Sequence, residues 1–217
     1  MKILITAATD REMNFFRREL ALDEAKKLSL AVTGVGLIST MYNLMKVTQE
    51  SNPDIIIQLG IAGTFSNEIA VGQSFTVKTE CTAEMGVWEN ERYTDIFDMG
   101  LAAVSEPPYE QKKLINPHVH LLNAAGVPAV NAITVNRITT NPEDISLYKN
   151  HYNLDTESME GAALHYIGLS ARIPFIQIRG ISNLVGERNK NHWRIAEAMD
   201  SAVIACKNLL TQLNEQP

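Results

Sequence analysis

Short apolar runs recur along the chain at Ile3–Ala7, Leu28–Thr33, Ile55–Gly60, Ser74–Thr79, Pro128–Ile133 and Pro174–Ile181. In most of them the apolar residues continue rather than alternate, which is the pattern of strands covered on both faces. Helical patterns lie between them at Glu12–Ala21, Leu37–Thr48, Gln111–Ala125, Met159–Ala171 and His192–Leu213. The last of these places Ala198, Val203 and Leu210 among charged residues, as a helix packed on a sheet should. This strand-helix alternation predicts an α/β protein, a three-layer αβα sandwich around a largely parallel, twisted sheet. No linker or repeat divides it, so residues 1–217 are expected to form a single domain. One stretch departs from the pattern. Residues 84–109 hold Trp88, Tyr93, Phe97 and the Pro107-Pro108 pair without a sustained period, and they predict a long excursion that serves as a lid, a subunit contact or an irregular surface crossing.

Charge narrows the choice of partner. A net charge of -6 without any run of Lys or Arg argues against a nucleic-acid surface, where clustered cations must neutralise phosphates. A small molecule is the expected partner. Cys81 and Cys206 are far apart and lack CxxC spacing, which predicts neither a metal site nor a disulfide framework and suits a reducing cytoplasm. The first apolar run gives way to Thr9-Asp10-Arg11-Glu12 too soon for a signal peptide or a membrane span, so a cytoplasmic location without membrane partners is expected.

Several short motifs bear on chemistry. Gly34-Val35-Gly36 follows a strand and precedes a helix, with Asp54 further on, and so imitates a dinucleotide-binding fingerprint. The imitation fails, because Asp54 precedes its strand instead of ending it and Ser39 stands where a third glycine belongs. A tight turn that exposes backbone N–H groups is the favoured reading. Gly60-Ile61-Ala62-Gly63 ends another strand, where glycines allow either close backbone approach to a ligand or an ordinary turn. Glu12 falls in a first helical turn near the candidate caps Thr9 and Asp10, a place where an acid usually serves the helix dipole. In Glu157-Ser158-Met159-Glu160-Gly161, two carboxylates three residues apart lead into an apolar helix and could hold a diol; such partly buried carboxylates need donors. Arg179-Gly180-Ile181-Ser182-Asn183 ends a hydrophobic run, so a cation and an amide emerge together where open α/β sheets place ligands. Arg179 could bind an anion or simply pair with Glu157 or Glu160, and Asn183 could read a base edge.

Taken in order, these motifs resemble those of the nucleoside phosphorylase and nucleosidase superfamily over nearly the whole chain. The resemblance implies a mixed, partly barrel-like sheet and cleavage of an N-glycosidic bond in a small nucleoside, with no metal or organic cofactor. It also implies that Met159 packs on the ribose, Glu160 binds its hydroxyls, Gly63, Ser182 and Asn183 belong to the substrate site, and Glu12, aided by Arg179, directs a water. Arg11 lies between Asp10 and Glu12, a poor setting for free phosphate, so the chain is more similar to the nucleosidases than to the phosphorylases. Methylthioadenosine/S-adenosylhomocysteine nucleosidases carry aspartate where this chain has Asn183, and serine where it has Ile61. An asparagine amide suits a 6-oxopurine such as hypoxanthine. Together with Val185-Gly186-Glu187-Arg188 and Trp193, this combination resembles the futalosine hydrolases, with Arg188, His192 and Trp193 as candidates for the 5′ substituent. Rival expectations are a methylthioadenosine/S-adenosylhomocysteine nucleosidase, a phosphate-dependent purine nucleoside phosphorylase and a non-catalytic nucleoside-binding protein. A homodimer or higher homo-oligomer is expected, with residues 84–109 at an interface.

Overall fold

A computed structural model describes residues 1–19, 28–65, 68–90 and 92–215. The elements in chain order are β1 Ile3–Ala7, α1 Asp10–Arg18, β2 Leu28–Val32, α2 Leu37–Ser51, β3 Ile55–Thr64, β4 Ser74–Thr82, β5 Gly86–Glu89, β6 Arg92–Asp95, β7 Leu114–Ile115, α3 Val119–Ala124, β8 Ala129–Thr134, α4 Pro142–Ser146, β9 Thr156–Ser158, α5 Gly161–Ala171, β10 Phe175–Leu184 and α6 Ile195–Glu215. The main sheet runs β10-β4-β8-β9-β3-β1-β2, with β7 on β4, and a further β10–β3 pairing closes β3, β10, β4, β8 and β9 into a ring. The pairings of β1 with β2 and β3, of β3 with β10, and of β8 with β4 and β9 are parallel, whereas β4 with β7 and β10, and β3 with β9, are antiparallel. The sheet is therefore mixed and largely parallel, with helices on both faces.

The two faces explain the continuous apolar runs. Ile3, Ile5, Ala7, Ile55, Ile57, Leu59, Ile176 and Ile178 pack with Met13 and Phe16 of α1, Leu121 and Leu122 of α3, and Ala202, Val203, Cys206 and Leu209 of α6. The alternate residues Leu4, Ile56 and Phe175 pack with Leu44 of α2 and with Leu164 and Ile167 of α5. Each strand is covered on both sides here, so its apolar residues continue along the chain instead of alternating with exposed polar ones. Burying one such side chain stabilises the fold by roughly 1.5–3 kcal/mol relative to exposing it, which is why packing holds these helices against the sheet.

On the face shared by Ile56 and Phe175, the character changes along the strands. Register places Phe175 beside Ile56, then Gln177 beside Gln58, then Arg179 beside Gly60. The face passes from apolar to amide to cation as the strands approach their C-terminal ends, and the functional groups lie at that end.

Several elements differ from the reading of the sequence or add to it. The helix expected over Gln111–Ala125 is confined to Val119–Ala124. Gln111 and Lys112 adopt positive φ of 47° and 69°, Leu114 and Ile115 pair with β4, and Pro117 cannot supply a helical N–H in the interior. The stretch 84–109 contains the β5–β6 hairpin, where Trp88 lies opposite Tyr93. Strand β9 and helix α4 had no counterpart in the periodicity, since three to five residues are too few to show one. The helix expected from Glu12 begins at Asp10, and its expected last residues, Leu20 and Ala21, fall outside the described residues. No helix among the described residues is long and apolar enough to cross a membrane.

Candidate active site

Helix α1 starts with a capping box that also aims its acid. The Thr9 hydroxyl accepts the Glu12 N–H at 3.2 Å, while Glu12 Oε2 accepts the Thr9 N–H at 3.1 Å and the Thr9 hydroxyl at 2.9 Å. The other oxygen, Oε1, accepts the Ile61 N–H at 3.3 Å from β3. Glu12 therefore caps the helix and faces the strand end at once. Burial pushes its carboxyl above the ordinary value, and the Arg179 guanidinium pulls it part of the way back.

Glu160 is fixed from two sides. Its Oε1 accepts the Gly36 N–H at 3.1 Å, and its Oε2 accepts Arg179 Nη1 at 3.2 Å. Gly36 has φ of 85°, so the Gly34-Val35-Gly36 turn is a donor-presenting turn that only glycine adopts readily, as the sequence favoured. Arg179 is 2% exposed and is also tied to the Ile61 carbonyl at 3.0 Å, Gln58 Oε1 at 3.0 Å and Gln177 Oε1. A Cβ at position 60 would stand 2.8 Å from Arg179 Nη1 and 3.2 Å from Glu12 Oε1, so Gly60 is what lets the carboxylate and guanidinium share that wall. Behind Arg179, Gln177 donates to Glu80 at 2.9 Å, and Glu80 accepts Thr134 Oγ1 at 2.9 Å. Glu80 is fully buried, and desolvation pushes its carboxyl up to about 7.

A cavity of about 270 Å³ opens over these groups and is lined by Glu12, Gly63, Met159, Glu160, Ser182, Asn183 and Trp193. Those seven are the expected site residues other than Arg179. Arg179 is not among the residues that line the cavity, and four of its hydrogen bonds go to Glu160, Ile61, Gln58 and Gln177. This realises the alternative in which Arg179 pairs with Glu160.

The β10 segment is shaped by two backbone features. A Cβ at Gly180 would collide with the Ala198 carbonyl, so the glycine admits the start of α6 and brings Ile195 and Met199 to the cavity. A register shift between Ile181 and Asn183 leaves Ser182 out of the ladder and sets Asn183 opposite Gly63. Asn183 Nδ2 donates to the Leu184 carbonyl at 2.8 Å, and its Oδ1 lies 2.6 Å from the Ser182 hydroxyl, which holds the amide in one orientation.

Glu157 and Glu160 are held by different elements. Glu157 lies in β9 and Glu160 caps α5, so three residues of separation span a change of element and not one helix face. Glu157 Oε1 accepts the Thr139 N–H at 3.1 Å, far in sequence from the Gly36 donor of Glu160, and Glu157 also lines the cavity. Of the candidates for the 5′ substituent, Trp193 lines the cavity, whereas Arg188 stacks over the Trp193 ring at 5.4 Å and His192 pairs with Glu187 at 2.7 Å. Sequence reasoning missed the apolar wall formed by Phe15, Val35, Ile138 and Met199, which come from separate elements without a shared motif. It also missed Gln58, Gln177 and Glu80, whose polar side chains inside apolar strands were the available signal.

The phosphorylase superfamily profile matches residues 5–215. A futalosine hydrolase from Thermus thermophilus is 24% identical across 83% of this chain and 80% of its own length. A 5'-methylthioadenosine/S-adenosylhomocysteine nucleosidase from Maridesulfovibrio salexigens is 24% identical across 99% of this chain and 100% of its own. Among solved structures, a futalosine hydrolase mutant of Helicobacter pylori superposes with a TM-score of 0.83 at 12% identity, covering 98% of this chain and 99% of that one.

Proposed function

We propose that this chain, which belongs to the phosphorylase superfamily, is a nucleosidase that hydrolyses the N-glycosidic bond of futalosine and releases hypoxanthine, a step of menaquinone biosynthesis. The observation that carries a hydrolytic reading is the single wall on which Glu12 and Glu160 meet: the Ile61 peptide donates to Glu12 and accepts from Arg179, which in turn holds Glu160. One carboxylate is thereby offered to a ribose diol and the other to a water, in the same cavity as Met159 and Asn183.

In this reading the C1′–N9 bond stretches toward an oxocarbenium ion and its electron pair passes to the purine. Glu160 accepts the 2′ and 3′ hydroxyls, and the Asn183 amide donates to N7 or O6 as charge grows there. Water attacks C1′ while its proton passes to Glu12, whose raised affinity for protons suits a base; the departing base anion takes one proton from solvent to leave as hypoxanthine, and Glu12 returns its own to solvent. The prealigned carboxylates and amide need no reorganisation during the step. Ile61 leaves the water without a serine hydroxyl, so the water depends on Glu12 alone on that wall. Among the described residues lining the cavity, Arg11 is the only Lys or Arg, against Glu12, Glu157, Glu160 and Glu187. That balance disfavours a phosphate dianion and favours water over phosphorolysis.

A second reading, methylthioadenosine/S-adenosylhomocysteine nucleosidase, is favoured by the relative that matches this chain end to end. Asn183 is the residue that separates the two, since its amide serves a 6-oxopurine better than the carboxyl of an aspartate does. Self-association as a homodimer or higher oligomer is proposed from the exposed Trp88, Met99, Leu101 and Val104 in residues 84–109, and a monomeric mass by light scattering would sink it. The function is tested by chromatography of released base from futalosine, methylthioadenosine and inosine, each with and without phosphate. Hypoxanthine from futalosine, independent of phosphate, is expected. Adenine from methylthioadenosine alone would instead establish the second reading, and phosphate dependence would overturn both.

A further inference from the structure

Glu80 is a fully buried carboxylate on β4 that the proposed reaction leaves unused, and it is not among the residues that line the cavity. Two chains of hydrogen bonds end on it. Along the first, Gln177 Nε2 donates to Glu80 Oε2 at 2.9 Å, Arg179 Nε donates to Gln177 Oε1, and Arg179 Nη1 donates to Glu160 Oε2 at 3.2 Å. Along the second, Thr134 Oγ1 donates to Glu80 Oε1 at 2.9 Å and accepts the Ala162 N–H at 2.7 Å. Ala162 lies in the first turn of α5, directly after Gly161, and Glu160 is the N-cap of that helix. The first chain therefore reaches the side chain of Glu160, and the second reaches its backbone.

The direction of each donor in the two chains is dictated. An arginine only donates, so Gln177 must turn its carbonyl to Arg179 and its NH2 group to Glu80. The Ala162 N–H also only donates, so the single proton of the Thr134 hydroxyl is left for Glu80. Closing both chains takes a side chain that accepts on two atoms at once, and an ionised carboxylate does so. Gly161 keeps the place clear: a Cβ there would collide with Glu80 Oε2 and with both polar atoms of the Gln177 amide, so α5 starts directly on the Glu80–Gln177 contact. Desolvation raises the Glu80 carboxyl to about 7 against the pull of Gln177, Thr134 and Arg179, and the carboxylate predominates at pH 8.

We propose that Glu80 is a positioning residue for this reaction, fixing Glu160 toward the ribose hydroxyls through Gln177 and Arg179 on one side and through Thr134 and the first turn of α5 on the other. This rests on the nucleosidase reading, in which Glu160 accepts those hydroxyls, and extends it to the layer behind the cavity wall. Methionine at position 80 fills similar space without an acceptor. It frees the Gln177 amide to turn and leaves the Thr134 proton without its partner, so both holds on Glu160 slacken.

The test is calorimetric titration of the intact chain at pH 8 with carbocyclic inosine and carbocyclic adenosine, each against its 2′,3′-dideoxy counterpart. A CH2 group in place of O4′ forbids the oxocarbenium ion, so these ligands stay whole, and the two bases free the test from the choice of purine. The parent is expected to bind the diol of at least one pair about 10-fold or more tighter than its dideoxy counterpart, the scale of hydrogen bonds to a charged group. Glu80→Met should bring that ratio below about 3-fold while free hypoxanthine and adenine bind within about 2-fold of the parent. A ratio that stays parental would overturn the proposal, as would a loss shared equally by nucleosides and free bases. If Glu80→Met does not fold, Thr134→Val cuts the second chain alone and should lower the ratio by about 3-fold or more, whereas Thr134→Ser keeps the hydroxyl and should restore it. Equal ratios in those two variants would overturn the proposal. A parent that does not distinguish diol from dideoxy ligand removes the diol reading of Glu160 and the proposal with it; a parent and a Glu80 variant that both distinguish them remove the role of Glu80 alone.

Discussion

At the end of the cavity where β3 meets α1, both carboxylates are bound by protein donors: Glu12 by Thr9 and Ile61, Glu160 by Gly36 and Arg179. At the end where β9 meets β10, Asn183 is held only by its neighbours on the same strand, through the Leu184 carbonyl and the Ser182 hydroxyl. The difference separates two tasks. A group that must act on a reacting centre is fixed in advance by donors from several elements, so that no reorganisation accompanies the reaction. An amide that has spent one of its two N–H groups keeps the other to offer, and discrimination among ligands comes from the penalty of leaving such a donor unpaired.

The largest expected effect breaks the committed end. Glu12→Gln keeps the shape but removes the base, and kcat is expected to fall by about 10³–10⁴-fold with substrate binding changed little; a near-parental rate would show that another group takes the proton. The same residue sets the acid limb of the pH profile. Glu12 acts ionised, and burial raises its carboxyl above the ordinary 4.5, so kcat/KM should rise with pH through a value above 4.5. A limb at or below that value would mean the titrating group is elsewhere.

Next comes Arg179→Met, which strips the cation from buried Glu160 and should cost about 3–5 kcal/mol of stability in urea denaturation. A loss under 1 kcal/mol would mean the pair is not what holds that wall. Glu80→Gln probes the same chain of contacts more gently. Glu80 is raised from 4.5 to about 7, so its protonated form is favoured by the fold; its contribution is full below pH 4.5 and is lost as pH rises through about 7. A glutamine is neutral throughout, so the variant's stability relative to the parent should increase between pH 5 and pH 8 by on the order of 2 kcal/mol. Parallel stability curves for the two proteins would contradict it. The smallest effect sharpens the open end: Asn183→Asp should shift relative kcat/KM toward 6-aminopurine nucleosides by about 10-fold. An unchanged ratio would mean that Asn183 does not choose the base.

Much of this was legible from residues alone. Strand β1 appears where the apolar run Ile3–Ala7 put it, and Thr9 with Glu12 three residues on is a capping signature that survives in the fold. Gly36 reads as a turn residue, and positive φ bears that out. The expected helix over Gln111–Ala125 failed because its apolar positions serve a short strand pairing with β4, a long-range contact that local periodicity does not register. Arg179 was given two readings, an anion-binding cation or a partner of Glu157 or Glu160; the structure shows the Glu160 pairing, and only the fold reveals Gln58 and Gln177 as its further acceptors.

Pattern and chemistry along the chain thus determined the α/β class, most of the longer elements and the motifs whose carboxylates and amide line the cavity, but not its apolar wall. They did so because burial on two faces and helix capping are local demands that each residue answers within a few positions of itself. Tertiary structure alone decided which carboxylate does what. Glu157 and Glu160 are three residues apart in sequence, yet Thr139 holds one and Gly36 with Arg179 holds the other. Whether a carboxylate is satisfied or open depends on donors that other strands and helices deliver, and those become neighbours only when the ring of strands closes.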